Sequence, residues 1–380
     1  MTPSPAPNKP SVSEEGFRER FIAWARRLVL KAVAHGERGP AWWRRFWSQM
    51  IDSLMGQILL RGVLLRRTVP LRIGDAHHEF PDLFSGQHAR FFAPLPAACT
   101  WTEAPVEEPP GRSQGLKVRD LTAPSATPVG DVINDVIRAR RWTPKTGDRG
   151  LTVVGIDGIV QIGAGWFRRF AERVGPLGIE TVMMDAPFNF RRTPGPALPG
   201  QLIVGGDLSH QLSVARQSVL DITQLCRSLQ AEGRRVGLVG CSYGGWLMLM
   251  AATVVDDLDF VISLAPPADI VDLLQSRSPF VKALRRGLQL TPVPLAELEA
   301  LVRPVRPREW RSKLPGRQIR LHAARYDRFV PNTAIEQLAK AWQAPLVWHD
   351  EAHYRLTVLE SVQTSVIQEI QDFWPAHAAR

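Results

Sequence analysis

One stretch constrains this chain more than any other: Arg235-Val-Gly-Leu-Val-Gly-Cys-Ser-Tyr-Gly-Gly-Trp-Leu-Met-Leu-Met-Ala-Ala252. Val236 to Val239 reads as a short buried strand and the residues from about Gly244 as an apolar helix. Gly240-Cys241-Ser242-Tyr243-Gly244 forms the tight turn between them, a G-x-S-x-G pattern. In a nucleophile elbow the serine backbone is strained, so the residues two before and two after it must be nearly free of side chain. Gly245 widens that clearance. The geometry predicts the Ser242 hydroxyl at the carboxyl end of the strand, with the first N–H groups of a helix pointing at the reacting centre.

A serine hydroxyl is a poor nucleophile until a base takes its proton, and the base must be held in one tautomer by an acid. Leu321-His-Ala-Ala-Arg-Tyr-Asp-Arg-Phe-Val-Pro331 reads as a strand and a loop carrying Asp327. Leu346-Val-Trp-His-Asp-Glu-Ala-His353 reads as the last strand and its exit loop. Asp327 follows Ser242 by 85 residues and His353 follows Asp327 by 26, room for the strands and helices that must intervene. His353, out on the loop, is preferred to His349 at the end of the strand. Asp350 and Glu351 lie too near the histidine in sequence to arrive from a separate strand.

From Leu151 onward strands and helices alternate. Strands are predicted at Leu151–Ile156, Ile179–Met184, Val236–Val239, Phe260–Leu264, Arg317–His322 and Pro345–His349, and helices over Gln211–Glu232 and Thr357–Trp374. This spacing predicts a mostly parallel α/β sheet covered by helices on both faces. Before it, Val69–Thr122 suggests short strands of an antiparallel edge, and residues 128–150 a short helix and a polar turn. Residues 266–315, broken by Pro279, Pro292, Pro294, Pro304 and Pro307, form an insertion that is read either as a lid over the pocket or as an ordinary crossover.

Taken together, the chain resembles an α/β-hydrolase-fold serine hydrolase over about residues 110–380. The loop Asp185-Ala-Pro-Phe-Asn-Phe-Arg-Arg-Thr-Pro194 and the helix after it are similar to the abhydrolase domain-containing group once filed as a domain of unknown function. The resemblance implies hydrolysis of a small-molecule or lipid ester, without metal or organic cofactor. His353 would deprotonate Ser242 and Asp327 would orient His353. The oxyanion hole would take one N–H from Tyr243. The other would come from Ile159, where this chain has Asp157-Gly158 in place of the common His-Gly. Arg191 and Arg192 are candidate holders of a substrate carboxylate or phosphate, or else partners of nearby acids. An acyltransferase with the same triad, and a non-catalytic membrane-associated binding or scaffold protein, are the alternatives.

The N-terminal region reads differently. Residues 1–72 hold 13 Lys and Arg against 5 Asp and Glu, and so carry most of the chain's formal charge of +10. They are expected to be a basic, Trp-rich extension to a hydrolase domain at 73–380. A flexible tail at 1–12 precedes a helix from Phe17 to about Ala34, with Phe17, Phe21, Trp24 and Leu28 on one face. A second helix is predicted after Pro40, with Trp43, Trp47, Met50, Leu54 and Ile58 in its stripe. The pair reads as a surface arm in peripheral contact with membrane, or as a helical extension packed on the catalytic domain. No recognition motif accompanies the charge, so nucleic acid is not an expected partner. Three cysteines without C-x-x-C spacing argue against disulfides or a zinc site. With no apolar run near the roughly 18 residues that span a bilayer, and no apolar core in the N-terminal tail, a cytoplasmic protein is expected.

Overall fold

The computed structural model describes residues 41–64 and 88–374, apart from 110, 160–164, 196, 198, 204–207, 277–280, 282–294, 357 and 358. The helix expected from Phe17, the residues from Val69 up to 87 and the middle of the 266–315 insertion fall outside these residues. Among the described residues nine strands, β1 (Thr102–Pro105), β2 (Leu116–Pro124), β3 (Val136–Pro144), β4 (Leu151–Ile156), β5 (Ile179–Met184), β6 (Arg235–Cys241), β7 (Leu258–Leu264), β8 (Ile319–Ala324) and β9 (Leu346–His349), make one sheet. Its order is β1-β2-β3-β5-β4-β6-β7-β8-β9. The first three strands and β5 pair antiparallel, and every pairing from β5 through β4 to β9 is parallel.

Side-chain alternation divides the core between the two faces. Val154, Ile156, Val182 and Leu238 join one buried cluster, while Leu151, Val153, Met183 and Val239 join the other. Helix α1 (Ala41–Leu64), helix α3 (Leu208–Ala231), helix α4 (Tyr243–Ala251) and helix α7 (Asn332–Trp342) contribute to the first. Helix α2 (Gly165–Val174) and helix α8 (Glu360–Phe373) cover the second, through Phe167, Phe170, Val362 and Val366. Because helices occupy both faces, β4 and β5 are buried at every position; β4 reads as an apolar or small run, and in β5 the buried Glu180 is balanced by Arg141 and Arg234.

Two sequence expectations are corrected. The short helix expected within 128–150 is largely strand β3, whose Ile137 and Ala139 join the core on one face of the sheet and whose Trp142 joins the core on the other, among arginines that ion pairs hold in place. Among the described side chains of α1, Ser48, Ile51, Asp52 and Met55 are buried along with Gly56, whereas Trp43, Trp47, Met50 and Leu54 are only half-buried. The true inner face is rotated by about one residue, roughly 100°, because two of its members are polar. Arg191 and Arg192 both face acids. Arg192 has no exposed surface and pairs with Asp221 of α3 at 2.7 Å, while also donating to the Asp185 and Asn134 carbonyls. Arg191 pairs with Asp185 and Asp120 at 2.6 and 2.7 Å. Both guanidinium groups therefore tie the β5 exit loop to the body, as the reading of them as partners of nearby acids describes.

The 266–315 insertion is likewise anchored to the body where it is described. Helix α5 (Ile270–Gln275) is capped by the Asp269 carboxylate, which also pairs with Arg306 at 2.8 Å. After helix α6 (Leu295–Val302), the Val305 carbonyl accepts a bond from the Trp246 indole of α4 at 3.1 Å. Among the described residues no helix is long and apolar enough to cross a membrane.

Arg192→Met would leave the Asp221 carboxylate buried without its cation. It is expected to cost about 3–5 kcal/mol of stability, read as a lowered urea midpoint with an unchanged slope.

Candidate active site

The strand order places the site. From β4 the chain moves outward to β5 and then returns to β6 on the other side of β4. Open α/β sheets place their sites at such a reversal, outside the carboxyl ends of the strands. Ser242 follows the last residue of β6, Asp327 lies three residues beyond β8, and His353 lies four beyond β9. The parallel strands therefore deliver all three to one edge.

Ser242 adopts φ +51° and ψ −120°, a conformation that costs a non-glycine residue on the order of 1–3 kcal/mol. Hydrogen bonds hold it there: its N–H donates to the Leu264 carbonyl at 2.7 Å, and its carbonyl accepts from Trp246 at 3.0 Å. The spacing of the glycines has a measured cause. A Cβ on Gly240 would stand 2.4 Å from the Gly244 carbonyl oxygen, and one on Gly244 2.2 Å from that of Ile156. The turn is therefore in contact with the residues leaving β4, which brings the half-buried Ile159 into the same region.

Ser242, His353 and Asp327 form a hydrogen-bonded chain. The Asp327 Oδ2 atom lies 2.7 Å from His353 Nδ1, and His353 Nε2 lies 2.9 Å from Ser242 Oγ. An ionised carboxylate can only accept, so Nδ1 carries the proton and Nε2 is free to accept from the hydroxyl. The second oxygen of Asp327 accepts from the Phe329 and Val330 N–H groups at 2.7 and 2.9 Å, which fixes the acid in the loop. Burial opposes charge on His353, but the Asp327 charge and hydrogen bond, with a contribution from Asp52, raise its pKa above the ordinary 6.5. His349, the alternative, instead faces His322 at 2.9 Å, and burial and that second imidazole push it down to about 4. Asp350 pairs with Arg325, and Glu351 with Arg355.

One residue in the site was not singled out from the sequence. Asp52 of α1 is buried, with its carboxylate against the backbone of His353 and Tyr354. The available signal was its place in a helical face with Ser48, Ile51 and Met55, where an acid interrupts a run that otherwise packs inward. Among the described residues no group of three His, Cys, Asp or Glu is placed to hold a metal ion.

Comparisons with known proteins agree with this architecture. A family model described as "Alpha/beta hydrolase family" matches residues 163–374. An uncharacterised protein of Mycobacterium tuberculosis, found in strains H37Rv and CDC 1551, is 29% identical over 192 residues. The match takes in 47% of this chain and 42% of that relative, so the chain spans less than half the length of the curated relatives it matches. Among solved structures, an acetyl xylan esterase from Paenibacillus sp. R4 superposes with a TM-score of 0.55 at 14% identity, covering 83% of this chain and 98% of its own. Acetyl xylan esterase 1 from Thermoanaerobacterium sp. JW/SL YS485 does so with a TM-score of 0.55 at 17% identity, covering 84% and 98%. Identities this low establish the shared fold.

Gly244→Ala is expected to destabilise the protein by at least about 1–3 kcal/mol, since backbone on both sides must move. A thermal melt that leaves the midpoint unchanged would contradict the packing described for the turn.

Proposed function

The chain belongs to the alpha/beta hydrolase family, and from that premise we propose that it is a serine hydrolase acting on ester bonds. The observation that carries the proposal is the chain of two short hydrogen bonds from Asp327 through His353 to Ser242. It is supported by the positive φ of Ser242, the backbone signature of a nucleophile elbow. Structural neighbours named as acetyl xylan esterases favour the ester class.

In this reading Ser242 Oγ attacks the ester carbonyl while His353 Nε2 takes its proton. Asp327 steadies the imidazolium that results. The oxyanion would be met by the backbone N–H of Tyr243 at the start of α4 and that of Ile159 after β4. Collapse expels the alcohol, protonated by His353, and leaves an acyl-enzyme on Ser242. The same base then activates water for the second half.

A fluorophosphonate probe should label the wild-type protein and fail to label Ser242→Ala. Absence of labelling in a folded wild type would overturn the proposal. Asp327→Asn is expected to lower kcat by about 10⁴-fold, because the imidazole would then favour the wrong tautomer. Catalysis needs neutral His353, so kcat/KM should fall as pH drops through its raised pKa. The acid limb of the profile is accordingly expected above 6.5, and a limb well below that value would contradict the assignment of the base.

A further inference from the structure

The loop that carries His353 is held from outside the sheet. Asp52 of α1 accepts from the His353 N–H through Oδ2 at 3.0 Å and from the Tyr354 N–H through Oδ1 at 3.0 Å. Its Oδ2 also lies 3.4 Å from the Arg328 N–H, next to Asp327. One carboxylate thus touches the backbone of both loops that bring the acid and the base. Neighbouring residues of α1 reinforce the grip. Ser48 donates to Glu351 of the histidine loop at 2.5 Å, and the Arg328 guanidinium donates to Ser53 at 3.0 Å and to Gln49 at 3.3 Å.

We propose that Asp52 is a positioning residue for His353, and that α1 is a working part of the active site. The inference rests on the serine-hydrolase reading above. A carboxylate is a costly choice for a helix face that also buries Ile51 and Met55, since burial disfavours its charge. What it gains here is two well-aligned bonds to backbone N–H groups that would otherwise be buried without acceptors. Those bonds fix where His353 starts on its loop, and hence where its ring meets Ser242 and Asp327. Displacements of an ångström at such a position are enough to lower turnover.

Charge adds a second effect. The charged groups facing Asp52 are Asp327 from the loop after β8 and His353 from the loop after β9, with the Tyr354 phenol also sensing it. Burial, then repulsion from Asp327, pushes the Asp52 carboxyl up to about 7, against the opposing pull of His353 and the two N–H bonds. When ionised, Asp52 in turn favours the imidazolium form of His353. That form develops as the serine is deprotonated, so Asp52 acts on the transition state more than on substrate binding.

The test uses the full chain and three forms: wild type, Asp52→Asn and Asp52→Glu, with circular dichroism to establish folding. Fluorophosphonate labelling and p-nitrophenyl ester kinetics are followed across pH. Asp52→Asn keeps the shape but loses the charge and one acceptor. It should lower kcat about 10–100-fold with KM little changed, and move the acid limb of kcat/KM to lower pH. Asp52→Glu keeps the charge but misplaces the carboxylate. It should lower kcat while holding the limb near the wild-type position. Either folded variant with wild-type kcat and wild-type limb overturns the inference, as does a loss confined to KM. If Asp52→Asn does not fold, Asp52→Glu alone decides. A wild type that labels at Ser242 while the variants are unaffected rejects only the role of Asp52. A folded wild type that does not label rejects the underlying reading instead.

Discussion

The turn at Ser242 is the constraint on which the rest of the structure depends, because its backbone can be held at φ +51° only if strand, helix and neighbouring turn all close on it. The β6 strand supplies a fixed point on one side, where the Ser242 N–H reaches the end of β7. On the other, α4 begins immediately and is buried along its whole length, so the turn cannot relax outward. The missing side chains of Gly240 and Gly244 are the condition for this closure, since each faces carbonyl oxygen closer than a Cβ can stand. The cost of the strained residue, on the order of 1–3 kcal/mol, is offset by the packing that surrounds it.

Parallel strands carry that local geometry into a site. Because β6, β8 and β9 run in the same direction, the residues after each emerge at one edge, and a serine, an acid and a histidine far apart in sequence come within hydrogen-bonding distance. The two loops that bring the acid and the base are held differently. Asp327 is fixed by two N–H groups of its own turn, whereas the histidine loop leans on α1, more than 290 residues earlier in the chain. A buried ion pair between Arg192 and Asp221 performs a similar office for the loop after β5.

Much of this was legible in the sequence, for physical reasons that also explain what was not. Strands β4 and β5 were readable to the residue because burial on both faces leaves a short, mainly apolar run with sharp ends, interrupted by Thr152 in β4 and by Glu180 and Thr181 in β5. Ser242, Asp327 and His353 were readable because strand-exit positions in an alternating pattern have few rivals. Strand β3 was not, since its arginines at 138, 140 and 141 mask the inward alternation, and the acids that balance Arg140 and Arg141 lie on other strands and on α3 or just beyond it. The inner face of α1 was misplaced because hydrophobicity alone favours Trp43 and Trp47 over Ser48 and Asp52. What makes those polar residues inward-facing is a set of contacts with residues 351–354 that no local pattern records. For the same reason Arg191 and Arg192 had two readings in the sequence, since the acids that face them lie elsewhere in the chain.

The central claim is that Ser242 is acylated, and the most direct measurement is mass spectrometry of protein quenched in acid during turnover of p-nitrophenyl acetate. Acid protonates His353 and so halts the water-dependent half of the reaction. The account predicts a single acetyl increment, mapped by peptide analysis to Ser242 and absent when that residue is alanine. Rapid ester cleavage with no adduct, or an adduct that maps to another residue, would contradict it.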